Sequence, residues 1–503
     1  MVAVSYTVAF RGIDAELVEV QCTVSPGLPA FSIVGLPDKA VTEAKERVRA
    51  ALTALSIALP AKRVTINLSP ADLPKEGSHF DLPIALALLA ALEAVPGDMV
   101  AETLSLGELA LDGTLVPVTG ALPAAVTAAT ESKRLVCPEE CGAEAAWIDA
   151  TEVIAPRGLL ACLNHFNGRN ILPPATPGEV TKGPAFKELR DVKGQERAKR
   201  ALEIAAAGRH HMILVGPPGS GKSMLAARLA GILPDLSAEE ALDSSMIHSL
   251  TGLLDKGGIS RTRPFRAPHH TASMAAIVGG GRGAKPGEIS LAHNGVLFLD
   301  ELPEFPRAVL ETLRQPLETG DVVVARAKAH VRYPCRFLLI AAANPCKCGH
   351  LADANRACSR APRCGEDYLG RISGPLLDRF DLRVEVPPVG PLELTLPDSG
   401  ATTGEVAENV RRARAIQTAR FKGRDGVAVN ADAEGDLLCE IAATDAAGTD
   451  LLSRATETYQ LSARGYHRVL RVARTIADLD GVDSVASAHL AEALSFRLLR
   501  QVD

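Results

Sequence analysis

The chain has 503 residues, which exceeds the size of one ordinary hydrophobic core and predicts two to four domains. Its composition, with 47% hydrophobic and 23% charged residues, is typical of a globular protein. The formal net charge of −6 excludes a uniformly basic nucleic-acid coat, so any polyanion must be bound by local basic patches. The opening "MVAVSYTVAFRGID" lacks the charged segment and long apolar run of a signal peptide, so we expect a cytoplasmic location.

Residues 1–166 alternate short β-rich runs, such as "RVTINLSP", with alanine-rich segments, and this pattern predicts an α+β domain. The most apolar stretch of the chain, Leu82–Leu92, ends at Glu93 after about half the length that a membrane span needs. It therefore predicts a buried helix, and no contact with a membrane is expected.

Two loose stretches divide the rest of the chain. Residues 167–185 are rich in Pro, Gly and Thr and predict a linker. Residues 186–390 carry apolar strands that alternate with helices, which predicts an α/β domain. A second loose stretch, Pro387–Glu405, precedes a helix-rich end, so residues 391–503 are expected to form a helical domain of their own.

The stretch "MILVGPPGSGKSMLAARLAG" carries the strongest chemical signal in the chain. An apolar strand, Met212–Val215, precedes a match to G-x-x-x-x-G-K-[ST], and a helix is predicted to follow from Met224. Glycines let backbone N–H groups wrap phosphates, Lys222 can reach the β- and γ-phosphates, and Ser223 can bind Mg²⁺. The predicted nucleotide-binding residues are Gly216, Pro217, Pro218, Gly219, Ser220, Gly221, Lys222 and Ser223.

Two further apolar strands end in polar residues. The run "GVLFLDE" ends in Asp300 and Glu301, at the strand end where open α/β sheets bind ligands. We expect Asp300 to lie near Mg²⁺ and Glu301 to orient or polarise the attacking water. The run "RFLLIAAANP" ends in Asn344, which is predicted to contact the γ-phosphate or the water rather than only to start a turn. The sequence therefore predicts an ATPase with ATP and Mg²⁺ as its cofactors.

Four of the ten cysteines fall in a polar segment, 344–364, with the spacing C-x-C-x9-C-x5-C. Disulfides are rare in the cytosol, so the segment is read either as a structural zinc site or as free cysteines in a loop. Four thiolates can hold Zn²⁺ tetrahedrally, and His350 is a possible substitute ligand. The zinc ligands predicted on this reading are Cys346, Cys348, Cys358 and Cys364, and their expected effect is to stiffen the following loop.

Two basic segments are candidates for binding the phosphate backbone of DNA. The first, Ser260–Gly287, contains Arg266, Arg282 and Lys285. The second, Gly320–Pro334, reads as a β-hairpin with Arg326 and Lys328. Basic loops on an acidic protein suit phosphates, with an affinity that falls as salt rises. The alternative is that both segments are simply solvated loops.

The combination of P-loop, "LFLDE", a strand-terminal Asn and "SGPLLDRFDL" resembles the AAA+ ATPases, and within them the magnesium-chelatase-like branch and its ComM/YifB family. Long stretches such as "RPFRAPHHTAS" and "LSARGYHRVLRVARTIADL" carry the same resemblance. It implies that Asn344 is sensor 1 and that Arg379 is an arginine finger reaching a neighbouring subunit, rather than an ion pair of Asp378 or Asp381. It also implies that residues 391–503 form a lid carrying Arg464 as sensor 2, with Arg468 as the alternative, and that the assembly is a homohexamer.

Residues 1–166 resemble the Lon-type protease domain, an α+β fold. The run "PADLPKEGSHFDLPIAL" aligns with the Lon segment that carries the nucleophilic serine, and His79 stands at that serine's position. The segment matching the catalytic lysine, Gly113–Val126, contains no lysine. A Ser–Lys dyad needs both members, so proteolysis is not expected. Ser78, His79 and Asp81 are also too close in sequence to be expected to converge as a triad.

The function predicted from these features is a hexameric, ATP-hydrolysing DNA motor of the helicase or branch-migration type. Its expected substrates are single-stranded or branched DNA in recombination intermediates, and the resemblance implies a role in natural transformation or DNA repair. Two alternatives stay open. One is a chelatase-type remodelling ATPase that acts on a protein partner during metal insertion. The other, an ATP-dependent protease-like factor, is disfavoured by the missing dyad.

Overall fold

The computed structural model describes residues 2–181, 183, 186–281, 284–326, 329–351, 356–395 and 400–497. Within these residues the chain forms a first sheet near the N-terminus, a second and parallel sheet in the middle, and helices at the end. In the part of the chain that is described, no helix combines the length and apolar character required to cross a membrane.

The N-terminal region is built on a sheet of seven strands with a helical layer against it. Its elements are β1 (Val2–Arg11), β2 (Asp14–Ser25), β3 (Ala30–Val34), α1 (Lys39–Ala54), β4 (Arg63–Ser69), α2 (Asp81–Ala91), α3 (Gly97–Ala101), β5 (Thr103–Ser105), β6 (Glu108–Leu109), β7 (Leu115–Val116), α4 (Ala121–Thr130), β8 (Arg134–Val136), α5 (Glu139–Ala145), β9 (Val153–Ile154) and α6 (Leu159–Phe166). The strand order in the sheet is β3-β4-β2-β1-β5-β8-β9.

Alternation of apolar and polar residues explains why this sheet buries one face. In β2, Val18, Val20 and Cys22 are buried while the residues between them are partly exposed. Helix α2 packs on that face, and its residues Asp81–Leu89 are all buried. The predicted buried helix is thus confirmed, with its end near the predicted position.

The central region contains the second sheet and the helices around it. Its elements are α7 (Glu196–Gly208), β10 (Met212–Val215), α8 (Lys222–Leu229), α9 (Ala238–Thr251), β11 (Phe265–Arg266), α10 (Met274–Val278), β12 (Gly279–Gly280), β13 (Lys285–Pro286), α11 (Glu288–Leu291), β14 (Val296–Leu299), α12 (Arg307–Thr312), α13 (Pro316–Thr319), β15 (Asp321–Arg326), β16 (Ala329–Pro334), β17 (Leu338–Ala343), α14 (Arg363–Leu369), α15 (Gly374–Leu377) and β18 (Leu382–Glu385). The predicted hairpin is confirmed, because β15 and β16 pair antiparallel.

The order of the second sheet is β11-β14-β17-β10-β18, and each neighbouring pair is parallel. All strands therefore end at the same edge, which we call the carboxyl edge. The P-loop follows β10 there, Asp300 follows β14 and Asn344 follows β17. The residues in β10, β14 and β17 are buried, as expected for strands covered on both faces.

The last region is helical, with α16 (Pro391–Thr395), α17 (Thr403–Arg420), α18 (Gly435–Ile441), α19 (Ala446–Tyr459), α20 (Ala463–Leu479) and α21 (Ser487–Ser495). As far as the chain is described, many buried residues of these helices belong to the same cluster as residues of the second sheet. Leu202 and Ile204 of α7, Leu214 of β10, and Val472 and Ile476 of α20 belong to one buried cluster. The C-terminal helices are therefore packed onto the second sheet through a shared core.

The segment predicted as a linker is tied to both neighbouring regions. Gly178 N–H donates to the carbonyl of Ala143 at 3.0 Å, and Thr181 N–H donates to the carbonyl of Ile259 at 3.1 Å. The Trp147 indole also donates to the carbonyl of Gly257 at 2.9 Å. Hydrogen bonds thus hold the N-terminal region directly against the central region.

Candidate active site

The P-loop leaves β10 at Gly216 and enters α8 at Lys222. Gly219 and Gly221 have φ angles of +77° and +93°, a left-handed conformation that glycine adopts without strain. A Cβ added to either glycine would find no atom within 4 Å, so this side of the loop faces open space. Ser220 Oγ is buried and has no hydrogen-bond partner among the described residues. A loop that turns outward with an unpaired hydroxyl fits a phosphate-containing ligand.

Lys222 is largely buried and its ammonium is surrounded by neutral oxygens. Nζ donates to the carbonyls of Gly216 at 2.7 Å and Pro217 at 2.8 Å, and to Oδ1 of Asn344 at 3.1 Å. Burial lowers the pKa of Lys222, and the nearby carboxylates of Asp300 and Glu301 oppose that shift. The ammonium is therefore held at the carboxyl edge, and among the described residues it has no direct ion pair that a phosphate would have to displace.

Asp300 and Ser223 lie side by side across the site. Ser223 Oγ donates to Asp300 Oδ2 at 2.7 Å, and the other carboxylate oxygen accepts the N–H of Glu301 at 2.9 Å. A hydroxyl and a carboxylate are both oxygen ligands of the kind that Mg²⁺ prefers. The donor set present thus fits Mg²⁺, with Ser223 and Asp300 as the residues that would hold it.

Glu301 differs from Asp300 in its surroundings. Its backbone has a φ of +51°, and its side chain is about half exposed at 49%. One carboxylate oxygen lies 3.5 Å from Nδ1 of His270, whose ring stacks on that of His269 with centroids 4.1 Å apart. The predicted residue for orienting water is thus in contact with the basic segment Ser260–Gly287.

Arg379 does not extend into solvent. It is only 5% exposed, and its guanidinium donates to the carbonyls of Arg314 at 3.1 Å and Pro375 at 2.6 Å. It also forms an ion pair with Glu318 at 2.5 Å. The alternative ion pairs considered from sequence do not form, because Asp378 pairs with Arg497 and Asp381 pairs with Arg468.

Arg464 and Arg468, both on α20, lie near Arg379. Arg464, with a side chain 68% exposed, is 3.8 Å from the same carboxylate oxygen of Glu318. Arg468 donates to the carbonyl of Arg379 at 3.0 Å and to Asp381 at 2.5 Å. Burial by itself would raise the pKa of Asp381. Arg468 and the imidazoles of His210 and His211, which precede β10, outweigh burial and hold that pKa well below its usual range.

These arginines lie at the edge of the second sheet opposite the P-loop. A cavity there is lined by His211, Glu318, Asp381, Arg464 and Arg468, and His211 directly precedes β10. The P-loop begins after β10, so the length of that strand, about 13 Å for its four residues, separates the two edges. We call this the amino edge. Lys222, Asp300, Glu301 and Asn344 are thus brought together, whereas Arg379 and Arg464 form a second group.

The cysteine segment packs beside the P-loop. The Sγ atoms of Cys346, Cys348 and Cys364 all lie within 4.8 Å of one another, and the Cys358 side chain hydrogen bonds with those of Cys348 and Cys364. Residues 352–355 of this segment lie outside the described residues. A hydrogen bond from the backbone of His350 is the main cause that lowers the pKa of Cys348 to about 6. The sulfurs of Cys346, Cys348 and Cys364 are thus close enough to share a metal that thiolates bind, such as Zn²⁺, with Cys358 as the candidate fourth ligand.

The predicted DNA-binding residues fall into three groups. Arg266 forms a two-point ion pair with Glu288, at 2.6 and 2.7 Å, so its guanidinium is already bound. Lys285 is exposed on β13, and Arg326 is the last residue of β15. Arg282 and Lys328 lie outside the described residues.

The residues at the expected protease position have structural partners instead. His79 is buried, contacts the carbonyl of Val8 through Nε2 at 2.9 Å and lies against the ring of Phe10. Burial lowers the pKa of His79 to about 4. Asp81 accepts two hydrogen bonds from Arg47, at 2.5 and 2.8 Å. The imidazole and the carboxylate are therefore engaged with different partners and do not form a triad with Ser78.

Sequence reasoning missed Glu318 and the contact of His270. Glu318 comes from a short helix about 60 residues before Arg379, and no motif marks it. His270 could have been found from its place in the segment that follows β11, because β11 neighbours β14, which carries Glu301 at its end.

Protein-family models match three parts of the chain. Residues 188–394 match the family described as magnesium chelatase, subunit ChlI. Residues 18–141 match the family described as subunit ChlI of Mg-chelatase, and residues 400–497 match its C-terminal part. These matches support a magnesium-chelatase-like AAA+ protein.

Individual relatives agree with these models. The competence protein ComM of Haemophilus influenzae is 44% identical over 506 residues, which cover 99% of this chain and 97% of that protein. YifB of Escherichia coli is 43% identical over 500 residues, with the same coverage. The magnesium-chelatase 38 kDa subunit of Rhodobacter capsulatus is 27% identical over 354 residues, covering 65% of this chain and 92% of that protein. Membership of the AAA+ group implies ATPase activity with ATP and Mg²⁺. The chain belongs to the ComM/YifB family of magnesium-chelatase-like AAA+ proteins.

Proposed function

We propose that the protein is a hexameric, ATP-driven DNA motor of the helicase or branch-migration type that acts on recombination intermediates. The observation that carries this proposal is the similarity over 99% of the chain to a protein named for competence, the state in which cells take up DNA. The proposal includes a role in natural transformation or DNA repair and a cytoplasmic location, where ATP and such intermediates are both present.

Each polar residue at the carboxyl edge has a proposed part in hydrolysis. Lys222 neutralises charge on the β- and γ-phosphates, and its contact with Asn344 supports the assignment of Asn344 as sensor 1. Ser223 and Asp300 hold Mg²⁺, which supplies further charge neutralisation when bound. Glu301, whose side chain is half exposed, orients and polarises the attacking water.

Completion of the site requires a second copy of the chain. Arg379 and Arg464 lie at the amino edge, one strand length from the P-loop of their own subunit. We assign them to the γ-phosphate bound by a neighbouring subunit, with Arg379 as the arginine finger and Arg464 as sensor 2. A contact in which one edge meets the opposite edge of the next copy is heterologous, and it generates a ring when the rotation between copies closes. This arrangement supports the proposed homohexamer.

The DNA-binding surface in this proposal consists of the hairpin β15–β16 and the segment that carries Lys285. The hairpin is followed closely in sequence by β17, and Asn344 comes directly after that strand. In this proposal, a displacement of the hairpin by bound DNA therefore shifts β17 and with it the position of Asn344 at the ATP site. Arg326 ends β15, Lys328 is two residues farther along the sequence, and Arg282 precedes Lys285 by three residues. Because Arg266 is bound to Glu288, it is the weakest of these candidates.

The proposed domain organisation follows the sequence boundaries. Residues 1–166 form a Lon-protease-like domain without catalysis, 167–185 the linker, 186–390 the AAA+ core and 391–503 the helical lid. In the N-terminal domain the buried His79 supports a structural role at the position of the Lon nucleophile. The clustering of three cysteine sulfurs supports a structural Zn²⁺ as a second metal of the protein.

A DNA-stimulated ATPase assay combined with migration of a branched junction tests the proposed function. We expect ATP turnover to rise with single-stranded or branched DNA, to fall as salt increases, and to vanish in Lys222→Ala. Protein that hydrolyses ATP but neither binds DNA nor moves a junction would refute the motor. ATP turnover that responds instead to a protein partner would favour the chelatase-type alternative. The 27% identity to a magnesium-chelatase subunit supports that alternative.

A further inference from the structure

We propose that the four cysteines Cys346, Cys348, Cys358 and Cys364 bind Zn²⁺ and that this metal clamps the loop 345–351 onto the P-loop, so that nucleotide affinity depends on the metal. The inference rests on the proposed ATP site and assigns the cysteine cluster a role in binding ATP, beyond stiffening the segment that leads to Arg379.

Three of the cysteine sulfur atoms lie close enough to share one metal ion. The Sγ atoms of Cys346 and Cys348 are 3.1 Å apart, and with Cys364 they form a group in which every distance is within 4.8 Å. Zn–S bonds of about 2.3 Å in a tetrahedron place sulfurs about 3.8 Å apart, which lies in this range. An iron–sulfur cluster inserts several irons and sulfides between its cysteines and needs them farther apart.

The loop 345–351, which contains Cys346 and Cys348, runs against the P-loop. Cys346 lies two residues after Asn344, and its carbonyl accepts the N–H of Gly349 at 3.0 Å. Gly349 has a φ of +82°, and a Cβ placed on it would lie 2.4 Å from Cδ of Pro218 in the P-loop. The loop backbone therefore touches the P-loop at a point where only glycine fits.

Helix α14 supports this loop from its other side. Gly365, the neighbour of Cys364 on α14, is so close to the loop that a Cβ on it would lie 2.6 Å from Leu351 and 3.2 Å from the carbonyl of Pro345. The loop 345–351 is thus enclosed between α14 and the P-loop. Cys364 on α14 and Cys346 in the loop are the residues that a shared metal would join.

The consequence concerns the stability of this contact. The loop 345–351 is short, and among its residues only Cys346 and Gly349 are buried, while the others are partly or fully exposed. Without a metal it has little hydrophobic burial to hold it against Pro218. Because Asn344 accepts a hydrogen bond from Lys222, release of the loop would also disturb the lysine that binds phosphate. Metal loss should therefore weaken ATP binding before any step of hydrolysis.

Two measurements on the full-length protein, made without DNA, test the clamp. Metal analysis of protein purified under reducing conditions should give one zinc per chain, with zinc lost in Cys364→Ser. Binding of a fluorescent ATP analogue should weaken about five- to ten-fold in Cys364→Ser and in zinc-stripped wild type. Gly349→Val should keep its zinc but show the same loss of affinity, because the added side chain meets Pro218.

Cys439→Ser is the matched control, since Cys439 is exposed on α18 and should keep both zinc and affinity. Protein without zinc, or with a Cys346–Cys348 disulfide in its place, would overturn the metal site. Bound zinc together with unchanged affinity in stripped protein and in Gly349→Val would overturn the clamp. If Cys364→Ser fails to fold, zinc-stripped wild type and Gly349→Val still decide the question. Failure of the DNA motor leaves these results unaffected, because neither measurement contains DNA.

Discussion

The cationic side chains at the two edges of the second sheet have different kinds of partners. At the carboxyl edge the described hydrogen bonds of the Lys222 ammonium go to neutral oxygens, and the carboxylates of Asp300 and Glu301 are nearby. At the amino edge Arg379 and Arg468 are each paired with a carboxylate, Glu318 and Asp381. The first edge is ready for a phosphate within a single chain, whereas the second holds its arginines in intramolecular ion pairs.

In the proposed mechanism, one subunit contains both halves of an ATPase site but does not bring them together. The nucleotide half needs only its own chain, while the proposed arginine half exchanges an internal carboxylate for a neighbour's phosphate. Phosphoryl transfer is catalysed mainly by positioning and charge neutralisation, so such an exchange can couple hydrolysis to assembly.

The largest expected effect on ATP turnover comes from removing Arg379, the proposed arginine finger. Arg379→Ala should reduce ATP turnover by about 10³-fold, the low end for a trans-acting arginine. If Arg379 serves a neighbour, mixing Arg379→Ala with Lys222→Ala should restore part of the turnover, since one variant supplies the P-loop and the other the finger. Arg307→Ala, an exposed arginine on α12, is the control for a lost surface charge. Mixtures that stay inactive would contradict action in trans.

The next effect concerns the acid at the carboxyl edge. Glu301→Gln should reduce turnover by about 10²- to 10³-fold because the water loses its polarising base, while ATP affinity changes little. Single-turnover hydrolysis and nucleotide binding, measured on one preparation, separate the two. Glu304→Gln, in the same turn but paired with Arg371, should keep near-normal turnover. Equal losses in both variants would show that the turn as a whole, and not the Glu301 carboxylate, is required.

A smaller effect is expected from the carboxylate at the amino edge. Glu318→Gln removes the ion pairs to Arg379 and Arg464, so both guanidiniums become available to a neighbour's phosphate. Turnover at low protein concentration should rise about two- to five-fold, because the Glu318 carboxylate is about half exposed and its ion pairs are of modest strength. Glu311→Gln, which removes an ion pair with Arg314 and leaves the Glu318 carboxylate in place, is the control. A fall in turnover would mean that Glu318 positions the finger instead of restraining it.

The smallest effect extends the comparison of paired and unpaired cations to DNA. Lys285→Ala should weaken DNA binding a few-fold and lower the salt slope by about 1, as expected for one phosphate contact. Arg266→Ala should leave DNA affinity nearly unchanged, because that guanidinium is bound to Glu288. Titrations at several salt concentrations measure both quantities. A larger loss in Arg266→Ala would show that its ion pair opens when DNA binds.

Much of the site was predictable because its residues lie at the ends of strands. The motif between β10 and α8, the acids after β14 and the Asn after β17 are local patterns, and the rule that parallel strands end at one edge brings them together. The partner of Arg379 was not predictable in the same way. Sequence proximity suggested Asp378 or Asp381, but those acids are taken by Arg497 and Arg468, and Glu318 comes from a distant helix.

The sequence by itself determined the elements, the P-loop, the paired acids, the hairpin and the family of this protein. These are encoded in periodicity and in short motifs, whose chemistry requires fixed residues at fixed spacing. Only the tertiary structure decided which charges meet. It joined the C-terminal helices to the second sheet through one core, placed Arg464 at the amino edge, and brought Gly349 against Pro218. Such contacts depend on how separate elements pack, and packing depends on all of the surrounding side chains at once.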